Sequence, residues 1–482
     1  MTEPTDLQRT LAEHDQEHLL RFYETLSPER RKALLEQLRG IDFDELDTLI
    51  EQYVRRKPHV EVPSGIRPPE MVPARPSDEQ TQALHDAARR RGEQLIADGK
   101  VAAFVVAGGQ GTRLGYEGPK GCLEVTPVAH KPLFQVFAEQ ILAARRRWDT
   151  AIPWYVMTSP INDVPTRAFF RQHKYFGLPA DDVFFLVQGT MPAIGYDGKL
   201  LLAAPGRVAM SPDGHGGALP ALSDSGALAD MAARGVEQIS YFQVDNPLCR
   251  AVDPLFIGLH AERDAEMSAK ALPKRDPMEK LGNFCVVDGK VTVIEYCDLP
   301  EDLVRQTTDD GHLLFNAGSI AIHMLSRAFV ERLTAGGGCE LPWHRADKIV
   351  THVDADGNAV TPDEPNAVKL ERFIFDALPL AERTVILETL RTEEFSPVKN
   401  AEGADSLNTA LHDQVRRAAE WLEEAGVTVP RDADGKVAAA IEISPLFADS
   451  GEQLAEQVDK HLTIAPGDKV YLGSRGQIGG EK

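Results

Sequence analysis

The feature that most constrains the fold is an apolar run that stops abruptly in glycine. Ala102 to Val106 gives way to Ala107-Gly108-Gly109-Gln110-Gly111-Thr112-Arg113-Leu114-Gly115, with Gly118-Pro119-Lys120-Gly121 just beyond. A short apolar run bounded in this way predicts a buried strand that opens into a tight loop. Glycines let a backbone come close to a bulky anion, and their N–H groups can point at its oxygens. Arg113 and Lys120 bring two cations to the same loop, one a planar fork and the other a point charge. Together these residues predict a polyphosphate site at the end of a buried strand.

Two widespread phosphate loops do not account for it. The dinucleotide fingerprint G-x-G-x-x-G requires a third glycine where this chain has Leu114, and the glycine arrives one place late. The P-loop G-x-x-x-x-G-K-[ST] fails because Lys120 follows Pro119 and precedes Gly121.

The rest of the chain predicts an α/β architecture. Phe134, Phe137, Ala138, Ile141 and Leu142 recur at helical spacing, and Arg145-Arg146-Arg147 suits that helix's C-terminus. Trp154–Met157, Phe184–Val187 and Ile239–Val244 read as strands, with helical spacers at 165–176 and 219–234 between them. Alternation of this kind predicts a central, mostly parallel, doubly wound sheet of the Rossmann-like type, with ligands at the C-terminal ends of its strands. Asp288-Gly289 between Phe284–Val287 and Val291–Tyr296 is a hairpin signal, and Asp197-Gly198 a second turn. These predict an antiparallel insertion beside the main sheet, covering a second substrate.

Three regions follow from the composition along the chain. Residues 1–98 read as a helical, highly charged N-terminal region, in which Ser27-Pro28 marks a helix start. Six prolines between Pro58 and Pro76 mark an extended connector, and Arg89-Arg90-Arg91 reads as a solvated helix face. Residues 99–405 form the expected catalytic domain. Residues 406–482, with a helix at 415–425 and short strands at 437–443 and 469–472, form a small α+β C-terminal domain.

Charge narrows the partners. A formal net charge of −22 repels nucleic acid and anionic membranes, so a nucleoside triphosphate needs a local positive island. No apolar run approaches the roughly 20 residues of a membrane span, and Met1-Thr2-Glu3-Pro4 carries no signal-peptide pattern. Five cysteines without a C-x-x-C pair fit a reducing cytoplasm.

Further candidate residues lie at expected strand ends and loops. Gln188 closes an apolar strand; it is a solvated edge residue or an amide able to pair with a base edge such as that of uracil. Ser211-Pro212-Asp213-Gly214-His215-Gly216-Gly217 is a second glycine-rich loop before a helix, able to meet an anion or a nucleobase, and a histidine in such a turn is usually solvated. Asp245 follows the 239–244 strand, where it either caps the next turn or offers hard oxygen to magnesium. Glu295 and Tyr296 end the hairpin and can recognise sugar hydroxyls, and Asn316 can add an amide. Lys369 and Lys399 sit among apolar residues, where a half-buried ammonium needs a bound anion or a nearby glutamate.

Assembled, these stretches resemble the UTP-dependent sugar-1-phosphate uridylyltransferase family, in its N-acetylglucosamine branch. The resemblance covers about 15–475 and is carried by A-G-G-Q-G-T-R-L-G, P-K-G, H-K-P-L-F-Q, I-P-W-Y-V-M-T-S, H-K-Y-F-G-L, P-D-G-H-G-G, V-D-N, L-F-N-A-G, F-S-P-V-K-N and E-I-S-P-L. It implies a nucleotide-diphospho-sugar transferase fold. It also implies roles: Ala107, Gly108, Gly109, Gln188 and Gly214 for the uridine, and Arg113, Lys120 and Lys369 for the phosphates. Asp245 would hold Mg²⁺, and Glu295, Tyr296, Asn316 and Lys399 the sugar phosphate. Two departures fall where the sugar is read: His215 replaces the asparagine of D-G-N-G-G, as in glucose-type relatives, and Ser319 replaces a usual asparagine after N-A-G.

The expected reaction joins UTP and a sugar-1-phosphate, with N-acetylglucosamine-1-phosphate the expected acceptor, into a UDP-sugar and pyrophosphate. Rival readings are a glucose-1-phosphate or broad-specificity enzyme, a non-catalytic UDP-sugar-binding regulator, and a nicotinamide oxidoreductase weakened by the glycine spacing.

Overall fold

The computed structural model describes residues 4–57, 65–474 and 478–479. The chain divides into two compact units, each assembled from separate stretches. The larger comprises Pro63–Val187, Ala218–Glu340 and Phe375–Lys482, the smaller Met1–Val62, Gln188–Gly217 and Leu341–Ile374. This division does not follow the linear one expected from composition. Residues 63–98 and 406–482 belong with the central sheet, while the N-terminal helices share a unit with two later insertions, a non-local association that local composition does not reveal.

The larger unit is built on a nine-stranded sheet. Its strands are β1 (Val101–Val106), β2 (Trp154–Thr158), β3 (Val183–Val187), β4 (Gln238–Gln243), β5 (Met267–Pro273), β6 (Asn283–Val287), β7 (Lys290–Ile294), β8 (Ala317–Ser326) and β9 (Thr384–Glu388). The spatial order is β7-β6-β8-β4-β1-β2-β3, with β5 pairing β8 and β9 pairing β5. β4, β1, β2 and β3 run parallel, and β8 is antiparallel to its neighbours β4, β5 and β6. Only β8 and β7 therefore oppose the common strand direction, and the sheet is mostly parallel as expected. The Asp288-Gly289 hairpin forms as β6–β7, but it extends the main sheet through Asn283 opposite Gly318 instead of standing beside it.

Helices cover both faces because the inner strands carry buried, mostly apolar side chains on both, as in the wholly apolar β1. Trp154 and Val156 pack with Phe134, Phe137 and Phe170 from helices Leu133–Trp148 and Asp163–Gln172. Tyr155, between them, points the other way, and its hydroxyl donates to Asp230 (2.6 Å) on helix Ala227–Ala233. Helix Glu79–Ala97 crosses Pro254–Glu262 so closely that a Cβ at Gly92 would lie 1.8 Å from the Pro254 carbonyl oxygen, and one at Gly258 1.7 Å from that of Ala88. Only glycine permits that crossing. The expected 219–234 helix is two helices, broken at Gly226. Arg89, Arg90 and Arg91 are exposed, as read.

The C-terminal stretch keeps a core of its own inside this unit. Helix Leu407–Glu424, opened by a Ser406 capping box, packs Trp421 and Leu422 on the parallel strands Ala440–Ile443 and Lys469–Leu472. Among the described residues no helix is long and apolar enough to cross a membrane.

In the smaller unit, Ser27 caps helix Pro28–Arg39 and Asp42 caps Phe43–Leu49. Their buried leucines pack with Leu200, Val208, Val368 and Leu370. The last two belong to strand Ala367–Arg372, which pairs with Trp343–Lys348 and Ile194–Gly195. Pro58 to Ser64 of the expected connector lie outside the described residues.

Candidate active site

The first cluster grows out of the parallel strands β1, β2 and β4. β1 continues one residue past its end, where the Ala107 N–H donates to the Met157 carbonyl (2.8 Å), and then the chain turns away. Gly111 N–H donates to Gly118 O (2.9 Å) and Lys120 N–H to Gly109 O (3.1 Å), closing the loop on itself. That closure returns Lys120 to the strand end. Its ammonium lies 3.7 Å from Asp245 Oδ2 beyond β4, and both side chains are mostly buried. Arg113 stands on the single 3₁₀ turn Thr112–Leu114, exposed and in no ion pair among the described residues.

The glycine loop is held from behind by the end of β2. Asn162, fully buried, donates to Ala107 O (2.8 Å) and Gly109 O (3.3 Å), and Ser159 Oγ donates to Gly108 O (2.9 Å). Neither residue stands out in the sequence as a site residue. Their only signal is position, in the turn between an apolar strand and an amphipathic helix.

Asp245 does not cap the following turn. Asn246 caps it instead, since its Oδ1 accepts from Leu248 N–H (3.3 Å) and Ser396 N–H (3.0 Å) and its amide donates to Glu394 O. The Asp245 carboxylate thus stays available beside the loop, and its carbonyl accepts from Val398 N–H (2.8 Å). Among the described residues no three His, Cys, Asp or Glu side chains gather as a metal cage. A single hard carboxylate beside a glycine loop fits magnesium, which characteristically takes one or two protein carboxylates and completes its shell with waters and phosphates.

A second group lies at the other edge of the same unit. Glu295 follows β7, Asn316 precedes β8, and both are half-buried, as is Tyr296. Asn316 O accepts from Lys274 N–H (2.9 Å); Lys274 Nζ donates to Asn283 Oδ1 (3.0 Å), and Asn283 leads to β7 through Ile294 O (3.4 Å). Ser319 N–H donates to Gly282 O (2.8 Å), and a Cβ on Gly282 would sit 3.5 Å from Glu295. Lys274 is a buried lysine whose pKa is lowered by burial. It closes the run Ala271-Leu272-Pro273, a strand-end signal of the same kind as Gln188. Lys399 corrects the sequence reading. It is exposed, not half-buried, because Val398 is tied to Asp245 while the Lys399 N–H turns outward to Asp405 O (2.7 Å). Its ammonium lies 5.8 Å from the centre of the Phe395 ring.

The smaller unit gathers Gln188, Gly214, His215 and Lys369. Gln188 is buried, not a solvated edge residue, and its amide donates to Asp213 Oδ1 and Gly214 O (both 3.2 Å). Gly214 has φ +88°, and a Cβ there would lie 2.3 Å from the Arg372 carbonyl oxygen. The Arg372 N–H donates to Asp213 O (2.7 Å), so the glycine loop lies directly on strand Ala367–Arg372. Lys369 on that strand is half-buried and in no ion pair among the described residues, so the glutamate alternative does not form. His215 is not a solvated turn residue. Its Nδ1 accepts from Ile374 N–H (3.1 Å), and its ring stacks on Phe373 with centroids 5.3 Å apart. Burial, helped by His344, pushes its pKa down to about 4, so the ring is neutral at pH 7. Burial raises the Asp213 pKa, against the lowering influence of Gln188 and Arg372.

A mostly parallel sheet with a braced glycine loop and a lysine–aspartate pair at its strand ends defines an α/β protein of the nucleotide-handling class. The sequence matches the family described as UTP–glucose-1-phosphate uridylyltransferase over residues 44–421, and the chain belongs to that family. It is 39% identical over 486 residues to the UDP-N-acetylhexosamine pyrophosphorylase-like protein 1 of Homo sapiens, covering 94% of each chain. It is 35% identical to UDP-N-acetylglucosamine diphosphorylase 2 of Arabidopsis thaliana, covering 92% of this chain and 89% of that one. The crystal structure of the uridine diphosphate N-acetylglucosamine pyrophosphorylase from Trypanosoma brucei superposes with a TM-score of 0.78 at 26% identity, covering 95% of both chains.

Proposed function

We propose that this protein is a uridylyltransferase that joins UTP and N-acetylglucosamine-1-phosphate into UDP-N-acetylglucosamine and pyrophosphate. The observation that carries the reading is the Lys120–Asp245 pair, 3.7 Å apart beside the glycine loop. Relatives named for N-acetylhexosamine and N-acetylglucosamine support the choice of sugar.

In this reaction an oxygen of the sugar phosphate attacks the α-phosphorus of UTP in line. The bond to the bridging oxygen of the β-phosphate breaks, and pyrophosphate leaves with that electron pair. The nucleophile is already an anion, so no side chain need take a proton. Catalysis is positioning and charge neutralisation. The loop amides of Gly108 to Gln110 and the Lys120 ammonium hold the triphosphate. Arg113, on its exposed turn, takes the departing charge. Asp245 would hold Mg²⁺, which when bound neutralises phosphate charge. Glu295, Tyr296, Asn316 and Lys399 orient the sugar phosphate. The nucleotide roles that the resemblance assigns to Gln188, Gly214 and Lys369, and the sugar role of His215, are testable one residue at a time. A cytoplasmic setting is supported by Cys122, Cys249 and Cys285, which are free, buried thiols.

The test is pyrophosphate release by the purified protein with UTP across a panel of sugar-1-phosphates. Release that is fastest with N-acetylglucosamine-1-phosphate supports the proposal. Faster release with glucose-1-phosphate overturns the sugar, and UTP binding without any release favours the regulator.

A further inference from the structure

We infer that Ser159 and Asn162 are positioning residues that set the phosphate-binding geometry of the glycine loop, an inference that rests on the proposed UTP chemistry. Three successive peptide carbonyls, those of Ala107, Gly108 and Gly109, accept side-chain hydrogen bonds from these two residues. The same side chains are fixed to each other: Asn162 Oδ1 accepts from Ser159 N–H (2.7 Å) and lies 3.1 Å from Ser159 Oγ, whose one proton goes to Gly108 O. Both are buried, with relative exposures of 0% for Asn162 and 1% for Ser159.

The effect on the loop follows from peptide geometry. A peptide unit whose carbonyl is held toward β2 points its N–H the opposite way. Among the described residues the N–H groups of Gly108, Gly109 and Gln110 have no acceptor, while those on either side, Ala107 and Gly111, are paired. Three consecutive free amides make a concavity for an anion. Glycines at these places give the backbone freedom, and freedom alone would leave the amides disordered in direction; the brace removes it. The brace is itself anchored. Thr158 Oγ1 donates its one proton to Asp163 Oδ1 (2.7 Å) and lies 3.1 Å from Leu186 O, while Arg167 donates through Nε to both Asp163 oxygens (2.9 and 2.8 Å) and through Nη2 to Phe185 O (3.3 Å). The loop's orientation is therefore referred back to β2, β3 and the helix Asp163–Gln172.

The experiment compares wild type with Asn162→Ala, Asn162→Asp and Ser159→Ala in two assays: steady-state pyrophosphate release, and calorimetric binding of inorganic tripolyphosphate. Asn162→Ala is expected to lower kcat/KM for UTP about 10²-fold through loop misplacement, with KM for the sugar phosphate unchanged within a factor of about three. Asn162→Asp discriminates positioning from mere support. Its ionised carboxylate cannot donate to Ala107 O, but its acid form can, and burial raises its pKa. Its activity relative to wild type should therefore rise as pH falls from 8 to 5.5 while its thermal midpoint stays well above the assay temperature at both pH values, which separates loop misplacement from partial unfolding. If the Asn162 variants do not fold, Ser159→Ala, which removes the hydroxyl that holds Gly108 O and lies beside Asn162 Oδ1 but keeps the Ser159 N–H bond to Asn162, decides the matter through its tripolyphosphate affinity. Turnover and tripolyphosphate binding equal to wild type in the folded variants would overturn the inference. A wild type that binds tripolyphosphate but never releases pyrophosphate would refute the enzyme reading. The inference would still be upheld or lost on the binding comparison. Failure of wild type to bind tripolyphosphate would sink the inference and leave the enzyme reading to the pyrophosphate assay.

Discussion

Replacing Lys120 with alanine removes one cation from a site whose proposed chemistry is charge neutralisation. In the structure its ammonium and the Asp245 carboxylate are 3.7 Å apart, with 17% and 19% of each side chain exposed. Unit charges about 4 Å apart near a protein surface interact by about 4 kcal/mol, so the lysine contributes a strong local field. Only the part of that field felt more strongly by the transition state than by bound UTP lowers the barrier. Removing one preorganised donor of this kind costs about 10²–10³ in kcat, or roughly 3–4 kcal/mol. The fold should change little, because the pair is 3.7 Å apart, with no hydrogen bond between the two groups, and each keeps some contact with water, so its loss costs about 1 kcal/mol. Lys120→Ala should therefore lose 10²–10³ in turnover by pyrophosphate release, while its thermal midpoint moves by only a few degrees. Near-normal turnover would refute the role, and a collapsed fold would show the lysine to be structural.

Other changes separate site from scaffold. Asp245→Asn should lower turnover at least about 10²-fold and raise the magnesium concentration needed for half-maximal rate, read from magnesium titrations of both proteins. Gly214→Ala should destabilise the smaller unit by about 1–2 kcal/mol from its left-handed backbone, and by more from the Cβ that would sit 2.3 Å from the Arg372 carbonyl oxygen; calorimetric unfolding measures it. Lys270 is fully buried and bonded to Asp253 (2.6 Å) and Glu394 (2.5 Å), so Lys270→Ala strands two carboxylates and should cost about 3–5 kcal/mol in denaturant unfolding. Burial alone would raise the Asp253 carboxyl, but Lys270 and Arg250 hold it below its ordinary 3.8, at about 2. Because the native value is depressed, the stability this group contributes is complete above pH 3.8 and is lost as pH falls through about 2. The stability difference between wild type and Asp253→Asn, measured by denaturant unfolding, should therefore shrink as pH is lowered from about 5 toward 2. A difference that does not change over that range would contradict this assignment.

Much of the sheet was legible because its signals are local. The run Ala102–Val106, the Asp288-Gly289 hairpin and the Ser27-Pro28 helix start each state their structure within a few residues, and all three form. What was not legible depends on partners distant in sequence. The smaller unit needs residues near 40, 200 and 370 to meet, as Leu38, Leu200 and Leu370 do in one core, and no window of sequence shows that. His215 reads as a solvated turn histidine until Phe373 stacks on it and Ile374 bonds to its ring. Lys399 reads as half-buried because its sequence neighbours are apolar; the tie from Val398 to Asp245 turns it outward. Within the site, the glycines and cations announce themselves by type, whereas Ser159, Asn162 and Lys274 look like ordinary polar residues and gain meaning only from what they touch.

The proposed reaction cleaves UTP between its α- and β-phosphates with the sugar phosphate as acceptor. Phosphorus NMR of the purified protein with UTP, N-acetylglucosamine-1-phosphate and magnesium observes that event directly. The predicted result is loss of both substrates in step with growth of the UDP-sugar diphosphate and pyrophosphate resonances, in equal amounts. Release of inorganic phosphate with UDP, or unchanged spectra under conditions where UTP is bound, would contradict it.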